Sequence, residues 1–183
     1  MPKNSIDQSS NMQLNYKPIT IDDLHLRQRW LSDSEVYRHL GYQVREGITL
    51  ESHKKWFDKY LEDEKNGERI IFIVSDGEKP IGQVGLLDIN PGDKHASLYI
   101  VIGEGEYRGK GLSQELLKYI CEYGFEKLGL HKIWLEVHAD NIAGVKAYEK
   151  FGFVQEGYFK DNVFYDGEYR DEIRMAIIKH NNG

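Results

Sequence analysis

Residues 100–113, with the sequence IVIGEGEYRGKGLS, constrain the fold of this chain most strongly. Four glycines within nine residues separate an apolar strand pattern from an amphipathic helix pattern. Glycines at such a junction let the backbone turn tightly, with several N–H groups converging at the positive end of the helix. Arg108 and Lys110 add positive charge in a chain whose net charge is -6. The segment therefore predicts a site for a phosphate or pyrophosphate group between a strand and a helix.

Two common phosphate-binding motifs do not fit the spacing of these glycines. The dinucleotide pattern G-x-G-x-x-G, started at Gly103, needs a glycine where Arg108 stands. A Walker A loop started at Gly105 needs a glycine where Lys110 stands. A tight strand–helix connection without a ligand is the alternative interpretation. The two flanking cations favour ligand binding.

The rest of the chain predicts a single domain with a mixed α+β fold. Residues 14–18 form a short strand pattern, and Thr20 and Thr49 are N-cap signals for helices, with a further short helix within residues 32–40. Strand patterns at residues 69–75, 80–88 and 95–102, joined by turns at 76–77 and 90–93, indicate an antiparallel meander. A helix at 111–128, a strand at 132–137, a helix at 141–151 and a hairpin of residues 154–165 and 168–178 follow. We expect a flexible tail at residues 1–12, a loop at 41–47 and one domain at 13–180.

Composition favours a cytoplasmic protein that does not act on membranes or nucleic acid. The chain is 40% hydrophobic with a mean hydropathy of -0.60, and the polar residues 1–12 lack the apolar core of a signal peptide. With 24 basic and 30 acidic residues, the chain lacks the basic surplus typical of duplex-binding domains. The single cysteine, Cys121, allows no intrachain disulfide and is expected to be a buried apolar residue. His131 and His138 have no ligand cluster around them in the sequence, so we expect no metal site.

The residues Arg108-Gly109-Lys110-Gly111-Leu112-Ser113 resemble the R/Q-x-x-G-x-G/A signature of the GCN5-related N-acetyltransferases (GNAT). Only the last position departs from the signature, because Ser113 replaces the usual Gly or Ala. The resemblance implies that these six residues bind the pyrophosphate of acetyl-CoA. It also implies a splayed strand with a bulge, in which free backbone groups of Ile100, Val101 and Ile102 bind the pantetheine arm and thioester. The implied fold is a twisted, mostly antiparallel sheet of about six to seven strands flanked by helices.

A second segment, residues 134–153, resembles another signature of the same family through Asn141, Tyr148, Gly152 and Phe153. The resemblance implies that Asn141 contacts acetyl-CoA and that Tyr148 protonates the departing thiolate. Residues seven apart lie on the same face of a helix, so both side chains can face one elongated ligand. The structural alternative is that Asn141 is an N-cap and Tyr148 a core aromatic.

The base that deprotonates the amine is left open between two routes. Glu136 lies twelve residues before Tyr148, which is the spacing of the proposed base in the ribosomal-protein alanine acetyltransferases of this family. Equally, Glu136 can simply face a partner across the sheet. Ser97 and Leu98 occupy the earlier strand where many relatives carry a glutamate. Deprotonation through water is therefore the second route.

The C-terminal hairpin resembles the branch that contains ribosomal-protein and spermidine/diamine N-acetyltransferases. The residues that carry this likeness are Glu156-Gly157, Gly167-Glu168-Tyr169-Arg170 and Ile173-Arg174-Met175. The implied activity is acetyl transfer from acetyl-CoA to a primary amine of a small amine, an amino sugar or a protein N-terminus, and family habit suggests a homodimer. A catalytically weak acetyl-CoA-binding sensor is the alternative. Some of the N-terminal aromatics are expected either to line the acceptor pocket or to lie in the core: Trp30, Tyr37, Tyr42, Trp56 and Phe57.

Overall fold

The computed structural model describes residues 12–38, 49–165 and 167–179, without the side chain of Tyr37. Seven strands form one sheet in the order β1-β2-β3-β4-β5-β7-β6. The strands are β1 Leu14–Pro18, β2 Ile70–Asp76, β3 Lys79–Asn90, β4 His95–Ile102, β5 Lys132–His138, β6 Val154–Tyr165 and β7 Glu168–Ile178. The helices are α1 Leu24–Leu31, α2 Ser34–Tyr37, α3 Leu50–Lys65, α4 Leu112–Glu122 and α5 Ile142–Phe151. Only β4 and β5 run parallel, and the predicted mixed α+β fold is confirmed.

The helices cover the two faces of the sheet and form two cores. On one face, α4 and α5 pack against the middle strands, and the buried side chains include Leu116, Ile120, Val84 and Leu135. On the other face, α1 and α3 pack against β2 and β4 in a second core. Successive strand residues point to opposite faces, so each middle strand contributes to both cores. Among the described residues, no helix is long and apolar enough to cross a membrane.

The helix predicted for residues 111–128 is wrong at its C-terminal end. Helix α4 ends at Glu122, and a π-helical turn, Tyr123–Lys127, follows it. The wider turn changes the register of the side chains, and Leu128 is exposed rather than on the buried face. In α3, Phe57 and Tyr60 are buried, whereas Leu50 and Leu61 are exposed.

Several predictions fall partly or wholly outside the described residues. These are the loop at residues 41–47, the first residue of the turn at 166–167 and most of the tail at 1–12. Met12 is the exception within the tail, because it packs against the core beside α4 and α5. The remaining strand predictions agree with the structure within two residues at each end.

Candidate active site

The sheet opens between its two parallel strands. Strands β4 and β5 pair only from His95 to Ser97 on one side and from Lys132 to Trp134 on the other. Beyond Ser97, β4 stays paired with β3 as far as Ile102, and β5 stays paired with β7 as far as His138. Beyond these three pairs the two strands diverge, and their facing edges do not pair with each other. The result is a wedge-shaped opening in the middle of the sheet, which we call the wedge.

The expected bulge at Ile100, Val101 and Ile102 is wrong, although the splay itself is present. These three residues keep an uninterrupted register with β3. The register shift lies instead on β3, between Leu87 and Asn90. Beyond Ser97, β5 forms no pairs with the backbone of β4, because β5 turns away and not because β4 is distorted.

The glycine-rich loop leads from the end of β4 into α4 and forms a nest of backbone donors. Gly109 and Gly111 have φ values of +73° and +82°, which glycine adopts without strain. Gly111 is the N-cap of α4, and the first helical bond of that turn runs from the Gln114 N–H to the Gly111 carbonyl at 2.9 Å. Within the described part of the chain, the N–H groups of residues 109–113 have no acceptor. Free donors at a helix N-terminus suit the phosphates of CoA.

Arg108 points into the protein rather than out of the loop. Its Nε donates to the Ile102 carbonyl at 3.2 Å, and its Nη2 donates to the Gly103 carbonyl at 3.0 Å and to Asp33 Oδ2 at 2.8 Å. The Arg108 guanidinium lowers the pKa of the Asp33 carboxyl below its usual value. Arg108 thus fastens the loop to the end of β4 and to the N-cap of α2. Lys110, by contrast, is exposed.

Trp30 packs directly on the start of the same loop. A Cβ added to Gly103 would lie 2.4 Å from atoms of the Trp30 ring, so only glycine fits there. The Trp30 Nε1 donates to Glu104 Oε1 at 2.8 Å, and Arg29 forms an ion pair with the same carboxylate. Phe57 is likewise a core residue, whereas Trp56 is partly exposed. Tyr42 and the side chain of Tyr37 lie outside the described residues.

Helix α5 begins shortly after the end of β5, and it carries Asn141 at its N-cap and Tyr148 two turns later. Asn141 is the N-cap of α5, and its Oδ1 accepts a hydrogen bond from the Gly144 N–H at 3.0 Å. Tyr148 packs edge-on against Phe153, and burial raises its pKa to about 12. Its side chain is still partly exposed, and its hydroxyl has no hydrogen-bond partner among the described residues. The structural alternative holds for the Asn141 oxygen. Tyr148 lies at the border of the core, and its role as a proton donor stays a prediction.

Glu136 lies on the opposite face of the sheet from Leu135 and Val137, which pack below α4 and α5. Its Oε1 accepts hydrogen bonds from Arg174 Nε at 3.1 Å and Nη2 at 2.6 Å, across the β5–β7 pair. The Arg174 guanidinium also stacks on the Trp134 ring at 4.4 Å. Glu136 therefore has the cross-sheet partner that the sequence left open, on the face covered elsewhere by α1 and α3.

Sequence reasoning missed a carboxylate at the apex of the wedge. Asp88 lies at the register shift of β3 with φ at 49°, and its Oδ2 accepts a hydrogen bond from Ser97 Oγ at 2.9 Å. Ser97 is the last residue of β4 that pairs with β5. A bulge turns one side chain away from its strand pattern, so no local sequence signal announces this position.

A buried arginine, Arg27, was also missed. It extends from α1, and its Nη1 donates to Gln83 Oε1 at 3.1 Å and to the Tyr99 hydroxyl at 2.9 Å. The guanidinium carbon lies 3.7 Å from the centre of the Trp56 ring. Burial and the nearby Arg27 charge lower the pKa of His53 to about 4. The available signal was the spacing of Leu24, Arg27 and Leu31, which puts a charge on the buried face of a helix.

Other chemical groups in the described residues offer no second active centre. Cys121 is buried, and burial raises its thiol pKa to about 12, which keeps it protonated. No group of three or more metal-ligating side chains is present in the ranges that the structure describes.

A sheet split between two parallel strands, beside a donor nest at a helix N-terminus, is the arrangement of a CoA-dependent acyltransferase. The sequence profile of the acetyltransferase (GNAT) domain matches residues 13–154. The chain is 34% identical over 164 residues to spermidine N(1)-acetyltransferase of Escherichia coli K12, covering 90% of this chain and 85% of that protein. It is 39% identical over 170 residues to the spermidine N(1)-acetyltransferase of Vibrio cholerae, covering 92% and 95%.

The structure is similar to a crystal structure of spermidine N-acetyltransferase from Vibrio cholerae in complex with CoA and spermine. The TM-score is 0.80 at 29% sequence identity, covering 91% of this chain and 95% of that one. The chain belongs to the GNAT acetyltransferase family, and it is an acetyl-CoA-dependent N-acetyltransferase. The predicted family, fold and co-substrate are therefore confirmed. The homodimer and the individual site residues stay predictions.

Proposed function

We propose that this enzyme acetylates the primary amine of a small molecule, which meets the thioester of acetyl-CoA inside the wedge. One observation carries the proposal: the edge of β4 that β5 leaves unpaired leads into a nest of backbone donors at the start of α4, and a hydrogen bond from Gln114 of α4 reaches Ala147, next to Tyr148 on α5. The edge offers hydrogen bonds to an extended chain such as pantetheine. The nest offers them to a pyrophosphate.

The proposed contacts involve first the pyrophosphate of CoA and then its pantetheine arm. Backbone N–H groups of residues 109–113 hold the pyrophosphate, and Lys110 adds a positive charge to them. The pantetheine arm pairs with the edge of β4 at residues 100–102. Asn141 caps α5 with its oxygen, which leaves its amide nitrogen as a donor toward the arm. Arg108 acts by holding the loop in place.

The reaction forms one N–C bond, breaks one C–S bond and moves two protons. The amine loses a proton, and the sulfur of CoA gains one. Tyr148 donates the second proton, because its raised pKa of about 12 keeps the phenol protonated at neutral pH. An ordinary thiol has a pKa of about 8.5. A thiolate formed in a site that excludes water is poorly solvated, and it is therefore a stronger base that can take a proton from a positioned phenol.

Glu136 is the proposed acceptor of the amine proton. Its carboxylate lies on the face of β5 opposite Leu135 and Val137, beyond the last residue that pairs with β4. Arg174 fixes its orientation through two hydrogen bonds. Asp88, at the apex of the wedge, is a second carboxylate on the same face that can attract an ammonium group. A water chain between these carboxylates and the amine is the alternative route.

A small amine is favoured over a protein N-terminus because spermidine is the acceptor named for the similar enzymes of E. coli and V. cholerae. Spermidine and spermine are therefore the reference acceptors. Arg27 favours a second class of small acceptor, an amine that also carries an anionic group. The sensor alternative loses support because Tyr148 retains a protonated hydroxyl beside the wedge.

The test is acetyl-CoA-dependent thiol release across a panel of amines. The panel contains spermidine, spermine, amino acids, amino sugars and peptides with free N-termini, each at the same concentration. We expect turnover with at least one small amine and none with the peptides. Turnover with peptides alone would contradict the proposal, and tight CoA binding without any turnover would favour the sensor.

A further inference from the structure

Arg27 differs from every other arginine in the described ranges, because it has no carboxylate partner. The others each lie within 4.0 Å of a carboxylate: Arg29 with Glu104, Arg38 with Glu35, Arg69 with Asp63, Arg108 with Asp33, Arg170 with Asp140 and Arg174 with Glu136. Arg27 is also the only buried one among them, with 6% of its surface exposed. Burying a charge without a partner of opposite charge is costly. Among the described arginines, Arg27 is therefore the one for which a negatively charged partner would stabilise the protein most.

The described groups that contact Arg27 are neutral. Gln83 of β3 and Tyr99 of β4 accept hydrogen bonds from its Nη1, and Trp56 of α3 covers one face of the guanidinium. His53 of α3 is close enough to be affected by the Arg27 charge, and burial together with that charge lowers its pKa to about 4, so it is neutral at physiological pH. The His53 Nε2 is buried and has no partner among the described residues. Within the described ranges, the charge of Arg27 is oriented by hydrogen bonds but meets no carboxylate.

The position of Arg27 connects it with the wedge. Its partner Tyr99 lies two residues beyond Ser97, in the part of β4 that no longer pairs with β5. Ser97 and Tyr99 point to the same face of the sheet, because alternate residues of a strand share a face. The same face carries Glu136 of β5. Arg27 is therefore fixed to the strand that lines the wedge, on the side where an acceptor meets the thioester.

We propose that Arg27 binds an anionic group of the acceptor, so that the preferred acceptor is an amine with a carboxylate or phosphate at its other end. The inference rests on the proposed acetyl transfer to a small amine. Guanidinium groups hold carboxylates and phosphates through pairs of directed hydrogen bonds, which would orient the amine toward the wedge. A polyamine would instead bring a second positive charge toward Arg27. The enzyme then differs in acceptor class from its spermidine-acetylating relatives.

The test compares acceptors that share an amine and differ in the distal group. One set is n-butylamine, 1,4-diaminobutane and 4-aminobutyrate, and the other is ethanolamine with phosphoethanolamine. We expect kcat/KM to be about tenfold or more higher for the anionic member of at least one set, because hydrogen bonds to charged groups are strong. The set that responds distinguishes carboxylate from phosphate. In Arg27→Gln this preference should fall to about one, whereas Arg29→Gln, on the same helix, should retain it.

A binding measurement keeps the proposal testable if turnover is slow. In the presence of CoA, 4-aminobutyrate or phosphoethanolamine should raise the unfolding temperature of the wild type but not that of Arg27→Gln. If Arg27→Gln does not fold, Tyr99→Phe, which removes one hydrogen bond to the guanidinium, should lower the preference in its place. A wild-type preference for 1,4-diaminobutane, or an anion preference unchanged in the variants, would overturn the proposal. Anion-dependent stabilisation without acetylation of any amine would instead contradict only the proposed function.

Discussion

Gln114 joins the two helices that flank the wedge: its Nε2 donates to the carbonyl of Ala147 at 2.9 Å. Gln114 lies in the first turn of α4, directly after the donor nest of the loop. Ala147 immediately precedes Tyr148 on α5. One hydrogen bond therefore couples the position of the CoA-binding loop to the position of the proposed proton donor. Gln114 does not touch the reacting atoms and acts as a positioning residue.

Replacing Gln114 with Leu should lower kcat several-fold while leaving the KM for acetyl-CoA almost unchanged. The loss of one partly buried hydrogen bond costs about 1 kcal/mol, and a small displacement of Tyr148 lowers the efficiency of proton transfer. Steady-state kinetics at saturating amine separate kcat from KM. Gln114→Glu is the matched variant, because a carboxylate has similar size but cannot donate to the Ala147 carbonyl. An equal loss in both variants supports the coupling, and wild-type kcat in Gln114→Glu would contradict it.

Gly109→Ala should weaken CoA binding, whereas a glycine-to-alanine change with the same backbone strain outside the loop should not. Both Gly109 and Gly67 have φ at +73° and no atom within 4 Å of an added Cβ, so alanine costs the same backbone strain of about 1 kcal/mol at either position. Gly67 lies in the turn after α3, whereas Gly109 lies in the donor nest. Calorimetric titration with CoA should give a weaker Kd for Gly109→Ala alone. Equal Kd values for the two variants would remove the loop from the CoA site.

Glu136→Gln should reduce activity most at the lower end of the pH range. There the amine is mostly protonated, so transfer depends most on a group that accepts its proton. The measurement is kcat/KM against pH for wild type and variant with the same acceptor. Arg174→Gln is the informative companion, because it removes the cation that orients Glu136 while keeping the carboxylate. A pH profile that is unaltered in Glu136→Gln would favour deprotonation through water.

The strands were predictable because their signals are local. His95–Ile102 and the two strands of the C-terminal hairpin follow turn signals and are rich in β-branched and aromatic residues, and the structure contains them with the expected ends. The glycine-rich loop was equally visible, because the positive φ values of Gly109 and Gly111 need that residue type. Features of this kind depend only on neighbouring residues, so a short stretch of sequence is enough to predict them.

The parts that were missed depend on pairing between distant residues. The splay of β4 from β5 was implied only by the family resemblance, because it is a property of two strands separated by a helix. The bulge that the resemblance placed in β4 is absent from residues 100–102, and the register shift lies on β3. The hydrogen bonds of Arg108 Nε and Nη2 to the carbonyls of Ile102 and Gly103 and to the carboxylate of Asp33 have no local signal in the sequence, and a contact of Arg108 with the phosphates stays a prediction. Asp88 faces Ser97 only because a register shift on β3 turns it there. Arg27 alone left a local signal, as a charge on an apolar helix face.

The most direct test of the account is the kinetics of Tyr148→Phe. Phenylalanine keeps the packing against Phe153 and removes only the hydroxyl that we propose as proton donor. Tyr119→Phe is the control, because Tyr119 is another partly buried tyrosine, stacked on Tyr16 at 3.6 Å. With the best amine of the panel, kcat of Tyr148→Phe should fall by about 10²-fold or more, while the Kd for acetyl-CoA stays within about twofold of wild type. A Tyr148→Phe enzyme with the kcat of the wild type would contradict the assignment of Tyr148 as the proton donor.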